Sequence, residues 1–307
     1  AAGNTVENNG IDDKTSTIIG FENILGSSHN DILTGNLAVN DIDGGAGNDT
    51  IKGGSADDEI HGDAGNDEID GDAGNDAIDG GAGKDVIEGN EGNDAIKGGA
   101  GKDDIEGNAG NDTLDGGIGQ DTIMGGAGDD LIKASQGDDD GGDTLDGEAG
   151  SNTLSFINAA VDVTFELKDG ENHKSDAGGF TEFTYSNFSN IEGSTYKDTL
   201  TGNDKNNIIN GGSGNDQVYG GGGDDLIYMS ADNDILDGGA GTDTLSFDKA
   251  SQLAKFLMGD QTGDVVIEQS GFVNTESKAT GFENIIGSQY NDIFHGTNTV
   301  NDIKGGA

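Results

Sequence analysis

The chain has 307 residues, 60 acidic against 14 basic side chains, and a formal charge of −46. That balance excludes nucleic acid and anionic membrane surfaces as partners. No apolar run approaches the ~20 residues that span a bilayer, and with no cysteine there is neither a disulfide nor a thiolate metal site.

Fifty-eight glycines, no proline and 31% hydrophobic residues would on their own describe a disordered chain. The placement of the acids says otherwise. From Gly44 to Lys133 a nine-residue pattern, G-G-x-G-x-D-x-U-x with U a large aliphatic residue, recurs ten times without a gap, beginning GGAGNDTIK and ending GGAGDDLIK. A fixed short period of this kind marks a solenoid whose repeats cannot bury an apolar face alone.

In chain order, residues 1–25 read as a partial cap or linker. The frame starts at Gly26 (GSSHNDILT) and Gly35 (GNLAVNDID), and a first block runs over 26–155 with a short irregular insert after Lys133. Residues 156–192 read as a β-rich cap, in which Val161, Val163, Phe165 and Leu167 alternate with polar residues as in a half-buried strand. A second block, 193–246, holds six frames from GSTYKDTLT. Residues 247–286 form another β-rich cap, with a strand at Val265, Val266 and Ile267 and a stretch from Leu253 to Met258 that fits helix or strand. Residues 287–307 begin a further block. A longer period lies over the short one: 18 of the 27 positions from Gly20 to Ala46 are identical to those from Gly281 to Ala307, 261 residues on. This implies a segment of a longer tandem array.

Position 8 of every frame is apolar, while positions 7 and 9 are mostly polar, so each x-U-x strand points one side chain inward and two outward. Two facing frames make an 18-residue coil, and at ~4.8 Å per strand the six coils of the first block measure roughly 29 Å. Position 6 carries the acid: Asp31, Asp49, Asp58, Asp67, Asp76, Asp85, Asp94, Asp103, Asp112, Asp121, Asp130 and Asp143 in the first block, Asp198, Asp216, Asp225, Asp234 and Asp243 in the second, and Asp292 beyond it. Stacked coils bring these carboxylates into rows that repel one another unless a cation lies between them. Calcium suits such rows because it takes hard oxygen ligands, backbone carbonyls included, in flexible geometry, whereas magnesium is strictly octahedral. If each ion needs a coil on both sides, about fourteen calcium ions or more are bound, and fourteen would bring −46 to about −18. Asn40, Asn152, Asn207 and Asn301 replace the acid near block ends, where a neutral ligand avoids an uncompensated charge.

GGAGNDTIK, GGAGDDLIK and GGSGNDQVY resemble the nonapeptide of the RTX (repeats-in-toxin) family, and GFENILGSSHNDILTGN resembles the phrase that opens such blocks. The resemblance implies an all-β fold, a right-handed parallel β-roll (β-helix solenoid) with calcium in the turns, its blocks separated by β-rich capping segments. It also implies type I secretion, an extracellular place on the bacterial cell surface, and folding on contact with external calcium. No phosphate-binding loop, HExxH or GxSxG motif is present, and the four histidines lack a metal-site context. The expectation is therefore not an enzyme but a structural segment of a secreted surface protein: an adhesin stalk, surface layer or matrix filament. Its partners would be calcium and, through self-association into a filament or lattice, further copies. The alternative is a calcium-dependent folding and secretion module of a larger toxin or enzyme.

Overall fold

The computed structural model describes residues 5–7, 16–19, 21–134, 142–168, 173–174, 180, 182–230, 232–249, 255–257, 265–268, 276–289, 293–295 and 302–305. Among the described residues every regular element is a β-strand. The chain divides into two compact units, Ala1–Thr153 with Thr181–Asn187, and Leu154–Phe180 with Phe188–Ala307.

In the first unit successive frames alternate between two parallel sheets. One holds Asn23–Ser27, Asp41–Gly45, Glu59–His61, Ala77–Ala82, Ala95–Ala100, Thr113–Ile118 and Leu131–Lys133, and the other holds Asp31–Thr34, Thr50–Ser55, Glu68–Ala73, Val86–Glu91, Asp104–Ala109, Thr122–Ala127 and Thr144–Asp146. The register is one coil of 18 residues: Ile87 sits between Ile69 and Ile105, and Ile96 between Ile78 and Leu114. The chain is thus a parallel β-solenoid with the coil length that the nonapeptide implies.

Position 8 supplies the core. Leu33, Ile42, Ile51, Ile60, Ile87, Ile105, Leu114, Ile123 and Ile132 are completely buried. Each aliphatic side chain so placed contributes about 1.5–3 kcal/mol, and a coil contributes only two of them. The core is therefore a single file of facing aliphatic residues, and any coil alone would be unstable.

The turns account for the glycines. Position 2 has positive φ throughout the central frames, whether it is glycine (Gly45 at 90°, Gly81 at 100°) or not (Asp63 at 67°, Asp72 at 68°, Asn90 at 76°, Asn108 at 72°). Asparagine and aspartate tolerate that region better than other side chains. Position 4 takes a different constraint. At Gly83 (φ 150°) a Cβ would overlap the carbonyl of Gly65 in the preceding coil, so here the neighbouring backbone demands glycine.

The second unit repeats the plan with shorter strands, three residues long within the repeat frames. Ile208–Asn210, Leu226–Tyr228, Thr244–Ser246 and Asn284–Ile286 follow in one sheet, with Thr199–Thr201, Gln217–Tyr219, Ile235–Asp237 and Glu276–Thr280 in another. Leu200, Ile209, Val218, Ile227 and Leu245 form its file of buried residues. The solenoid pairing reaches past the last frame, because Leu245 pairs with Ile285 in parallel.

The segments between blocks carry larger side chains into the same stack. Thr184–Ser186 adds to the sheet edge at Thr144–Asp146, with Tyr185 against Leu145, and Phe183 and Tyr185 are buried with rings 6.1 Å apart. In the second unit Thr164–Glu166 pairs with Thr199–Thr201. Val163, Phe165 and Leu167 are buried as the alternation predicts, but Val161 is 41% exposed, since the strand begins only at Thr164. Phe156 lies 5.0 Å from Phe165 and 5.2 Å from Phe180. Val265–Glu268 is a strand, antiparallel to Glu276–Thr280. Lys255–Leu257 resolves its ambiguous stretch as strand, and the rest of that stretch lies outside the described residues.

Candidate metal centre in the turns

The turn between two strands places the position-6 side chain under the coil, because position 8 must point inward and the strand alternates two residues per period. Asp31, Asp49, Asp58, Asp67, Asp76, Asp85, Asp94, Asp103, Asp112, Asp121, Asp130, Asp143, Asp198, Asp216, Asp225, Asp234 and Asp243 are all buried, none more than 3% exposed. Asp292 and Asn301 lie outside the described residues. Carboxylates are seldom buried so completely without a partner.

One oxygen of each is accounted for. The backbone N–H of Asp67 donates to Asp85 Oδ1 at 2.9 Å, that of Asp85 to Asp103 Oδ1 at 2.9 Å, and that of Asp103 to Asp121 Oδ1 at 2.8 Å. On the opposite side Asp58, Asp76, Asp94 and Asp112 form the same ladder, and in the second unit Asp198 bonds to Asp216 and Asp216 to Asp234. The other oxygen, Oδ2, of Asp49, Asp58, Asp67, Asp76, Asp85, Asp94, Asp103, Asp112, Asp130, Asp216, Asp225 and Asp243 is buried and receives no hydrogen bond. A buried carboxylate oxygen without a donor is costly.

What surrounds that oxygen shows in the position-1 glycines. A Cβ on Gly44 would lie 2.7 Å from Asp49 Oδ2 and 2.9 Å from the Gly62 carbonyl oxygen of the next coil. On Gly71 it would lie 2.6 Å from Asp76 Oδ2 and 2.9 Å from Gly89 O, and on Gly80 2.8 Å from Asp85 Oδ2 and 2.7 Å from Gly98 O. The glycine therefore keeps a small space between a carboxylate and a carbonyl of successive coils. Among the described residues no three or more His, Asp or Glu side chains gather as a metal cluster. The donors are one carboxylate per turn supplemented by backbone carbonyls, all hard oxygens, and this set fits calcium rather than zinc or another N/S-seeking metal.

The electrostatics of the rows point the same way. Burial raises Asp49, Asp58, Asp112 and Asp225 from the ordinary 3.8 to about 6, Asp67, Asp76 and Asp103 to about 7, and Asp216 to about 8. The backbone N–H bond opposes the shift in each case and nearby carboxylates add to it. Without counter-charge these rows favour protons, and a divalent cation would return them to the ionised form.

The asparagines at position 6 behave as donors. Asn152 Nδ2 donates to Gly147 O at 2.6 Å and to Asn187 O at 3.2 Å, and Asn207 Nδ2 donates to Ser189 O at 2.7 Å. Asn40 is equally buried, but its Nδ2 has no acceptor.

A second ladder escaped the sequence reading. The position-5 side chain accepts from the backbone N–H one coil later: Asn66 N–H to Asn48 Oδ1 (3.0 Å), Lys84 N–H to Asn66 Oδ1 (2.7 Å), Asn93 N–H to Asn75 Oδ1 (2.8 Å) and Asn111 N–H to Asn93 Oδ1 (2.7 Å). It runs opposite in direction to the aspartate ladder. The frequent Asn and Asp at this position were its visible signal. Outside the turns, Lys97–Asp79 (3.3 Å), Lys133–Asp115 (3.4 Å) and Lys52–Asp70 pair on position 9, the first largely exposed and the other two half-buried.

Compared with the models of known families, the chain matches that of the RTX calcium-binding nonapeptide repeat over residues 19–51, 43–78, 52–87, 79–114, 115–140, 139–155, 192–227 and 230–248. Among curated proteins nothing matches it.

Proposed function

Because the chain belongs to the RTX calcium-binding nonapeptide repeat family, we propose that it is a calcium-binding structural segment of a secreted bacterial surface protein, which folds and stiffens when it meets external calcium. The observation that carries this reading is the pair of aspartate rows, buried in both units and tied by Oδ1 to the coil before, in which twelve carboxylates from Asp49 to Asp243 keep a buried Oδ2 that receives no hydrogen bond. In the family calcium is the resident ion. Here Asp49 to Asp130, Asp216, Asp225 and Asp243 would hold it with position-1 carbonyls, and it would supply the positive charge that the rows lack. The chain's own part is to place one carboxylate per turn, to keep water from it, and to stack coils through the two opposed ladders.

The role as stalk, surface layer or filament rests on the 261-residue period, which adds length in units of the same kind. A folding and secretion module needs no such recurrence. No HExxH, GxSxG or phosphate-loop motif points to catalysis. Extracellular calcium modules bind at roughly 10⁻⁴ to 10⁻³ M, so the segment would stay unfolded at cytoplasmic calcium and fold outside.

Far-UV circular dichroism with parallel light scattering, during titration with calcium and with magnesium as the control, tests the proposal. A cooperative coil-to-β transition at submillimolar to millimolar calcium, absent with magnesium, is the expected result. Scattering that rises with it supports a self-assembling surface protein, and a persistent monomer supports the secretion-module reading. A chain already folded in chelator at pH 8, where the carboxyls are ionised, would overturn the calcium requirement.

A further inference from the structure

The turns are of two kinds, and position 2 separates them. In the frames of Asp49, Asp58, Asp67, Asp76, Asp85, Asp94, Asp103, Asp112, Asp130, Asp216, Asp225 and Asp243, position 2 has positive φ and Oδ2 receives no hydrogen bond. In four frames position 2 is a serine without positive φ, namely Ser27, Ser194, Ser230 and Ser288; Asp292 of the last frame lies outside the described residues, and the other three show what the serine does. There the serine turns back onto the carboxylate. Ser27 donates its N–H to Asp31 Oδ2 at 2.7 Å and its hydroxyl to the same atom at 2.8 Å. Ser194 does the same to Asp198 Oδ2 at 2.6 Å and 2.9 Å, while Val163 N–H donates to Asp198 Oδ1 at 2.8 Å. The Ser230 hydroxyl donates to Asp234 Oδ2 at 2.9 Å.

The structure assigns Asp31, Asp198 and Asp234 to turns closed by the chain's own serine, which hold no calcium. This rests on the reading of the remaining turns as calcium sites. The physical reason is competition for one atom. An Oδ2 that already accepts two hydrogen bonds at 2.6–2.9 Å must lose both to ligate an ion. An Oδ2 with no donor loses nothing. Among the described frames with an acid at position 6, the position-2 N–H reaches the carboxylate only where position 2 is serine.

Asparagine achieves the same end from the other side. In the frames of Asn152 and Asn207 the Nδ2 donors reach backbone carbonyls directly, so the amide supplies protons where an Asp frame needs a cation. Ser27 and Ser194 lie in the first frames of the two blocks, and Asn152 in the closing frame of the first. The first block is thus bounded at both ends, and the second at its start, by turns whose polar groups are satisfied within the protein, whereas the Asp234 turn lies inside the second block and Asp243 stands in its closing frame. A block can end there without leaving a half-formed calcium site against solvent.

The test is a count of bound calcium at saturation, by equilibrium dialysis with radiolabelled calcium, on the full chain and two double variants. Asp31→Asn with Asp198→Asn is expected to bind as many ions as the parent, and Asp85→Asn with Asp216→Asn two fewer. Loss of ions from the first pair equal to that from the second would overturn the assignment. Anomalous density from terbium in crystals of the unaltered chain gives a second measurement that no folding defect can obscure. Peaks are expected beside Asp85 and Asp216 and none against Oδ2 of Asp31 or Asp198, where a peak would equally refute the idea. A parent chain that binds no calcium would sink the calcium reading itself, and both variants would then be indistinguishable from it.

Discussion

Replacing Asp85 by asparagine separates the two tasks of a position-6 carboxylate. The side chain is fully buried, its Oδ1 accepts the Asp67 N–H at 2.9 Å, and its Oδ2 has no donor. Asparagine keeps an oxygen for the first task and removes the charge required for the second. A ligand that binds only the folded state stabilises it by RT ln(1 + [L]/Kd). For a site with Kd of about 10⁻³ M this gives about 0.4 kcal/mol at 1 mM calcium and about 1.4 at 10 mM, and for about 10⁻⁴ M it gives about 1.4 and 2.7. Either way, each ion lost widens the gap between parent and variant by about 1.0–1.3 kcal/mol over that tenfold range. Urea unfolding at constant ionic strength, at 1, 3 and 10 mM calcium, reads this widening directly. Asp85→Ala, which also removes the Oδ1 acceptor, should lie a further 1–3 kcal/mol or so lower at every calcium concentration. A gap for Asp85→Asn that stays constant from 1 to 10 mM would refute the assignment of Asp85 as a ligand.

In calcium-free buffer the raised carboxyls favour the folded chain only while protonated. Their contribution is complete below the ordinary value of 3.8 and disappears as pH rises through about 6 to 8. The metal-free chain should therefore show β-structure by circular dichroism near pH 4.5 and lose it by pH 8, while the calcium midpoint should rise as pH falls from 8 to 6. Gly80→Ala would set a methyl 2.8 Å from Asp85 Oδ2 and 2.7 Å from Gly98 O. We expect a loss of about 1–3 kcal/mol from overpacking, together with a weaker response of the melting temperature to calcium. Ile105→Ala, at a fully buried rung between Ile87 and Ile123, should cost about 2–5 kcal/mol in saturating calcium. Val86→Ser, 40% exposed on the outer face, should stay within about 0.5 kcal/mol. Asn152→Asp sets a carboxylate against the carbonyls of Gly147 and Asn187, which the amide now bridges. Chemical denaturation should show a loss of about 1–3 kcal/mol.

The coil, its 18-residue register and the aliphatic file were legible in the sequence because position 8 is apolar in every frame and recurs on a nine-residue period. The acid rows were legible for the same reason. The serine frames were not set apart, since Ser27 and Ser194 differ from their counterparts by one small polar residue, and the deciding quantity is the sign of φ. Asp63 and Asn108 adopt the glycine-like conformation while the serines do not. The position-5 ladder was hidden by its variety. The N–H donor comes from any residue, even Lys84 or Ser151, so only half of each bond is written in side chains. Val161 failed as a strand residue because alternation continues one turn beyond the pairing with Thr199–Thr201.

Most aspartate-ladder bonds within a block span 18 residues, but Asp121 N–H donates to Asp143 Oδ1 and Asp130 N–H to Asn152 Oδ1 across 22. The difference, four residues, enters on one side of a single coil, and the rungs Ile123–Leu145 and Thr122–Thr144 remain in step. A molecule whose every rung depends only on the rung before it can absorb an insertion as a local outgrowth, with no strain carried along its length. Insertions can therefore enter at any turn of such a stack, at the cost of a single rung's neighbours, and add new surface without redesign of the coils on either side.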